Sequence, residues 1–251
     1  MLQLKQIRIG EGKPKVIVPL IGRTEDELVQ EAEAVKKLGP DMIEWRADAF
    51  AGVKSLKATG KMLAKFRAVL PELPLIFTFR SEREGGHTSA GESFYEELLD
   101  MVLESQAADA VDVELFTGRD SVERLVEKAK THGVPVVMSN HDFAKTPEKA
   151  EILTRLQAME DYDADMLKIA VMPNSTADLL VLLDATQTWK SKGEKQPLIT
   201  MAMGQLGLVS RLAGEVFGSA ATFGAGVEAS APGQIDVADL KAVLHIIHRY
   251  S

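Results

Sequence analysis

The chain has 251 residues, 45% hydrophobic and 26% charged, with 29 Lys+Arg against 37 Asp+Glu and a net charge of −8. That balance suits a soluble protein with a sizeable core and disfavours nonspecific binding to nucleic acid or anionic membrane. There is no cysteine, which excludes disulfides, thiolate metal sites and a cysteine nucleophile. The opening MLQLKQIRIGEGKPK lacks the apolar core of a signal peptide, and no apolar stretch approaches the ~18 residues that span a bilayer, so a cytoplasmic location is expected.

In chain order, MLQLKQIRIG reads as two short strands around a turn. Strands follow at KVIVPL (15–20), MIEWR (42–46), PLIFTFR (74–80), AVDVEL (110–115), PVVMSN (135–140), DMLKIAV (165–171), PLITMAM (197–203) and SAATFG (219–224). Helical patterns alternate with them. TEDELVQEAEAVKKLG (24–39) opens on Thr24 with Glu27 three residues later, a capping box, and ends on Gly39. The next are 55–70, 92–106, 120–133, 146–161 and 175–193, with Pro147 at a first helical position and Gly133 and Gly193 at helix ends. A seventh, GQLGLVSRLAGEVFG (204–218), is weakened by four glycines, and the last, 236–250, is capped by Asp236.

Eight strand–helix units fit a closed (β/α)8 TIM barrel of ~250 residues, with an open doubly wound sheet as the competing arrangement. The first two short strands then form an N-terminal β-hairpin closing the barrel floor. No linker or low-complexity stretch interrupts the pattern, so residues 1–251 are expected to be a single domain.

In such a barrel the active site lies at the C-terminal ends of the strands, and here those ends are polar. In order they carry Glu44, Arg46 and Asp48; Thr78, Arg80 and Glu84; Asp112 and Glu114; Ser139, Asn140, His141 and Asp142; and Lys168. Met201, Met203 and Gln205 end strand seven, with Arg211 close behind, and Glu228, Ser230 and Gln234 follow strand eight. Lys168 interrupts the apolar run MLKIAVM, and two readings stand side by side. Its charge either reaches water or a barrel carboxylate such as Glu114 or Glu44, or it is a desolvated amine that gives up its proton and attacks a ketone. His141 likewise reads as a hydrogen-bonded loop histidine or as a base. Three arginines near one rim of an acidic protein suit a carboxylate or several hydroxyls. No HExxH motif or histidine pair at ligand spacing argues for a metal. The glycines of FGAGVEASAPG lack a phosphate-binding fingerprint.

Taken together, EWRAD (44–48), FTFRSEREGG (77–86), SNHDF (139–143), LKIAV (167–171), ITMAMG (199–204), SR (210–211) and ASAPGQ (229–234) resemble the type I 3-dehydroquinate dehydratases, in register from about residue 13 to the C-terminus. The resemblance implies a hydro-lyase that converts 3-dehydroquinate to 3-dehydroshikimate in the shikimate pathway, through a Schiff base and without metal, nicotinamide or flavin. It makes Lys168 the Schiff-base lysine, His141 the general acid/base and Glu84 the carboxylate that orients it. Arg211 becomes the grip on the substrate carboxylate, and Glu44, Arg46, Arg80, Met203, Phe223, Ser230 and Gln234 the surrounding shell. It also implies a homodimer. Where some members of the family have a substrate-contacting serine near the end of strand one, this chain has Pro19. A class I aldolase or transaldolase would also place a lysine on a barrel strand but would want a phosphate grip. A non-catalytic binding protein descended from the fold would be expected to have lost one of Lys168, His141 or Arg211.

Overall fold

The computed structural model describes residues 1–193, 196–227 and 230–251. β1 (Leu2–Leu4) and β2 (Ile7–Ile9) pair antiparallel as a hairpin. Eight parallel strands follow: β3 (Lys15–Leu20), β4 (Met42–Arg46), β5 (Leu75–Thr78), β6 (Ala110–Glu114), β7 (Val136–Asp142), β8 (Met166–Val171), β9 (Leu198–Ala202) and β10 (Ala221–Phe223). Their order in the sheet is β10-β3-β4-β5-β6-β7-β8-β9. A parallel bridge from Leu198 to Ser219, with the Ala220 N–H donating to Leu198 O at 2.7 Å, joins β9 to the start of β10. The arrangement is the expected TIM barrel rather than an open sheet.

Between the strands run α1 (Glu25–Leu38), α2 (Leu56–Val69), α3 (Glu92–Ser105), α4 (Arg119–His132), α5 (Lys149–Asp161), α6 (Thr176–Lys190), the short α7 (Leu208–Leu212) and α8 (Gly214–Phe217), and α9 (Val237–Tyr250). The expected caps form: Thr24 and Glu27 make a reciprocal capping box, Gly39 closes α1 with φ 60°, and Asp236 accepts from the Ala238 N–H. Ser175 and Asp178 make a second capping box.

Three expectations need correction. Residues 204–218 form no continuous helix but a 3-10 turn followed by two short helices. The glycines are the reason: Gly204 has φ 70°, and a Cβ on Gly207 would lie 2.0 Å from Ala202 O. Pro147 lies before α5 rather than on its first turn, because Glu148 is the N-cap. β7 continues past Asn140 through Asp142, so His141 is a strand residue and not a loop one.

Side chains alternate along each strand, and the barrel uses that period to separate two interiors. Outward-facing residues such as Val18, Trp45, Phe77, Val113 and Ile169 pack beneath the helices in one large apolar layer. Trp45 meets Phe66 and Phe77 edge-on, with ring centroids 5.1 and 5.4 Å away. Inward-facing Ile17, Met42, Ile76, Ala110, Val137, Met166, Ile199 and Ala221 fill the lower barrel with Leu4 and Ile9 of the hairpin, which close its floor. Burial on both faces explains why the strands read as near-continuous apolar runs.

Candidate active site

Continuing the same alternation two residues further along each strand turns the barrel interior polar. Glu44 and Arg46 follow Met42, Asp112 and Glu114 follow Ala110, Ser139 and His141 follow Val137, and Lys168 follows Met166. Lys168 and His141 sit on adjacent strands, since Ser139 pairs with Lys168 and His141 with Ala170. They line a pocket of about 450 Å³ with Glu44, Arg46, Arg80, Glu84, Phe143, Ala170, Met201, Met203, Arg211, Phe223, Ser230, Ala231 and Gln234. All eleven site residues expected from the sequence therefore share one wall. Glu228 lies outside the described residues.

Lys168 is 4% exposed. Its Nζ donates to Glu44 Oε1 at 2.9 Å, lies 3.5 Å from Asp112 Oδ2, and stands 4.6 Å from the centroid of the Phe223 ring. Thr78 Oγ1 also donates to Glu44 Oε1, at 3.0 Å. The carboxylate partner and the pocket position thus coexist, and the two readings of this lysine do not exclude each other.

Glu84 is buried beside His141. Its Oε2 accepts from the His141 backbone N–H and lies 2.9 Å from His141 Nδ1, while Oε1 accepts from Asn140 Nδ2 at 3.1 Å. Arg155 donates to Asn140 Oδ1 at 2.7 Å, which fixes the way that amide faces. With Nδ1 engaged by the carboxylate, Nε2 makes no hydrogen bond among the described residues. Burial raises the Glu84 carboxyl to about 7; Arg80 opposes and Glu114 assists. Burial, then the charges of Arg80, Lys168 and Arg46, push His141 well below the usual histidine value.

The three arginines differ. Arg46 pairs with Asp48 through two bonds of 2.9 Å. Arg80 donates to Glu114 and Ser139 from Nη1 and to Asp112 from Nη2, each at 2.9 Å. Arg211, 1% exposed, has no carboxylate partner among the described residues. Its Nη2 donates to Pro232 O at 3.2 Å, Nη1 lies 3.6 Å from Met201 Sδ, and Nε is buried with no partner. Desolvation alone lowers Arg211 to about 10. A buried guanidinium without a counter-ion is a site for an anion.

Ser230 and Gln234 hold each other, the Ser230 N–H donating to Gln234 Oε1 and Gln234 Nε2 to Ser230 Oγ. Sequence reasoning missed Phe143, although it lies two residues beyond His141 and so continues the inward alternation. It also missed Asn140 as a Glu84 ligand. Among the described residues, no group of three or more His, Asp or Glu is placed to hold a metal ion, and no helix is long and apolar enough to cross a membrane. A larger cleft of about 1720 Å³, lined by Arg23, Glu27, His87 and neighbours, lies beside Asp48 but contains neither Lys168 nor Arg211.

A family model for the type I 3-dehydroquinases matches residues 16–251. The chain is 51% identical over 249 residues to the 3-dehydroquinate dehydratase of Bacillus subtilis, covering 99% of this chain and 98% of that one. It resembles the structure of type I 3-dehydroquinate dehydratase from Clostridium difficile with covalently modified comenic acid (TM-score 0.95, 43% identity, 99% and 98% of the two chains). It also resembles 3-dehydroquinate dehydratase from Geobacillus kaustophilus (TM-score 0.96, 39% identity, 100% and 97% of the two chains). With a family match over nearly its whole length and a relative half identical from end to end, this chain belongs to the type I 3-dehydroquinases, a family of hydro-lyases.

Proposed function

We propose that the protein dehydrates 3-dehydroquinate to 3-dehydroshikimate, a step of the shikimate pathway, through an imine on Lys168. The observation that carries this reading is the presence of Lys168 and Arg211 in one pocket: a buried amine together with a buried guanidinium that has no carboxylate partner among the described residues. A ketone that also bears a carboxylate answers both. The covalently modified ligand in the Clostridium difficile relative supports a covalent route.

In this reading the Lys168 ammonium first passes one proton to His141 Nε2. The amine then attacks the C3 carbonyl carbon, and the carbonyl oxygen takes that proton back and a second from the nitrogen and leaves as water, giving a protonated imine. The positive nitrogen draws electron density from C2, so a C2 proton too weakly acidic beside a neutral ketone passes to His141 Nε2. The C2–H electron pair becomes the enamine double bond. The enamine expels the C1 hydroxyl in a syn elimination, and that oxygen takes the proton back from His141 and departs as water. A further water adds to the imine carbon and releases 3-dehydroshikimate with the free lysine. Glu84 accepts from Nδ1, keeps Nε2 free for the substrate and steadies the imidazolium.

Arg211 grips the carboxylate. Glu44, Ser230 and Gln234 meet the ring hydroxyls, as do Arg46 and Arg80, whose donors are already held by Asp48, Asp112 and Glu114. Met203 and Phe223 pack on the apolar part of the ring. No cofactor enters any step. A single catalytic domain over residues 1–251, a cytoplasmic homodimer and the absence of nucleic-acid partners complete the reading, the last supported by the −8 charge.

The test is to incubate the protein with 3-dehydroquinate, reduce with borohydride and map the adduct by mass spectrometry. Mass on Lys168, lost in Lys168→Ala together with nearly all turnover, is the expected result. An adduct on another lysine, or none, defeats the mechanism.

A further inference from the structure

Below Lys168 lies a charged group that the reaction just described leaves without a task. Asp112 is fully buried and forms no part of the pocket wall. It projects inward from β6, two strands from Lys168, and Ser139 of the intervening β7 lies between them. Ser139 Oγ donates to Asp112 Oδ1 at 2.7 Å, Arg80 Nη2 donates to Oδ2 at 2.9 Å, and Lys168 Nζ stands 3.5 Å from the same Oδ2.

Burying a carboxylate is costly unless it is well paired, and an apolar residue of similar size would fill the same space. Arg80 does not require it, because Glu114 already accepts from Nη1 at 2.9 Å and Glu84 lies at 3.7 Å. Lys168 has a closer carboxylate in Glu44, but Glu44 lines the pocket and also binds Thr78. Glu44 must therefore divide itself between the lysine and an incoming ligand. Asp112 cannot reach the ligand and has no such competition.

We infer that Asp112 is a positioning residue for Lys168, the fixed counter-ion that stays with its nitrogen from ammonium to protonated imine while Glu44 turns to the substrate. The inference rests on the imine reading above. In both states the nitrogen carries one positive charge, so one immobile anion serves both. Burial works against the Asp112 anion, but Arg80, Lys168 and the Ser139 hydroxyl outweigh it and hold the carboxyl below its ordinary range. The groups facing Lys168 are Glu44 from β4, Arg80 beyond β5, Asp112 and Glu114 from β6, and His141 from β7. Among the described residues β9 and β10 present Met201 and the Phe223 ring, with Arg211 of α7 behind Met201.

The experiment begins with the wild-type protein, 3-dehydroquinate and cyanoborohydride, which reduces the protonated imine. If no adduct forms on Lys168, the imine reading fails, and this inference fails with it. With that adduct established, Asp112→Asn is expected to lower kcat at least tenfold with KM within threefold, since Asp112 does not touch substrate. It should move the basic limb of the kcat–pH profile down by about one pH unit, because the imine nitrogen then gives up its proton more easily. Adduct yield at pH 8 should fall relative to pH 6.

Glu114→Gln is the control. It removes another Arg80 carboxylate and the acceptor of the Ser81 N–H, but Glu114 makes no ion pair with Lys168, so the basic limb should stay near the wild-type position. If both variants shift the limb equally, the effect belongs to Arg80 and the inference is wrong. It is equally wrong if Asp112→Asn leaves limb and adduct unmoved. Should Asp112→Asn not fold, Asp112→Leu, an apolar residue of similar size that also removes the charge, should move the limb in the same direction. An unmoved limb in that folded variant overturns the inference.

Discussion

Replacing Arg211 by methionine should make the ligand-free protein more stable while removing its activity. Desolvation lowers this guanidinium from the ordinary arginine value to about 10, which at 1.36 kcal/mol per pH unit is a penalty on the order of 3 kcal/mol. The sign follows from linkage: the folded state binds this proton less tightly than the unfolded chain. The penalty is therefore fully present below pH 10, the assay range included, and fades only as pH rises from there towards the ordinary arginine range. Arg211→Met loses the 3.2 Å bond to Pro232 O, worth about 1 kcal/mol, and fills the space between Met201 and the pocket with an apolar chain. The net gain is about 2 kcal/mol, or roughly 5 °C in melting temperature for a chain of this size. Loss of a bidentate carboxylate grip should cost kcat/KM a hundredfold or more, about 3 kcal/mol. Thermal and urea unfolding of both proteins at pH 7.5, beside steady-state rates, make the comparison. A variant that melts below wild type, or one that keeps its kcat/KM, refutes the account of Arg211 as a buried charge without a carboxylate among the described residues and kept for a ligand.

Glu84→Gln should change the pH dependence of stability. With its carboxyl raised from 4.5 to about 7, wild type loses stability from this group as pH climbs through that window, by roughly 3 kcal/mol. The non-titrating variant should gain on wild type by that order between pH 4.5 and pH 8 in urea titrations, and parallel curves would contradict the assignment. His141→Ala should slow turnover by about 10² to 10⁴ while borohydride still labels Lys168; near-normal turnover would remove His141 from the mechanism. Gly86→Ala would place a Cβ 1.8 Å from Arg80 O in the loop that carries Glu84. It should destabilise by about 2 kcal/mol or more and lower activity with it, and a variant melting like wild type would show that the loop has room to move.

The barrel was legible because its signals are local. Capping boxes, strand alternation and the apolar start and polar finish of each strand all lie within a few residues of one another. Local signals also account for the misreadings. In 204–218 the apolar spacing suits a helix, but the close approach of Gly207 to Ala202 O is a tertiary contact and leaves no trace in the spacing. The three arginines look alike in the sequence. What distinguishes them is their partners, and only Asp48 beside Arg46 and the more distant contact of Glu84 with Arg80 are near in sequence. Arg80 is matched by carboxylates 32 and 34 residues away, and Lys168 by Glu44 at 124. Recognising Arg211 as the one without a carboxylate among the described residues requires knowing where those carboxylates went.

That distribution of charge bears on how the proposed proton transfer works. Arg46 and Asp48 neutralise each other, leaving Lys168 and Arg80 among four buried carboxyls: Glu44, Glu84, Asp112 and Glu114. Glu84 is the one of these pushed up to about 7, and it is also the one bonded to His141, which is itself pushed down. The shifts invert the ordinary order of the two groups: the carboxyl holds a proton more tightly than usual and the imidazole less, so a proton taken up by His141 is readily given back. A step that takes a proton from C2 and returns the same proton to the departing hydroxyl needs a base that is neither strong enough to keep it nor weak enough to refuse it. Burial sets that balance, and it does so only while Asn140 and the His141 N–H hold Glu84 in place. The apolar surroundings that made a lysine at 168 look out of place in the sequence are the same surroundings that tune the histidine beside it.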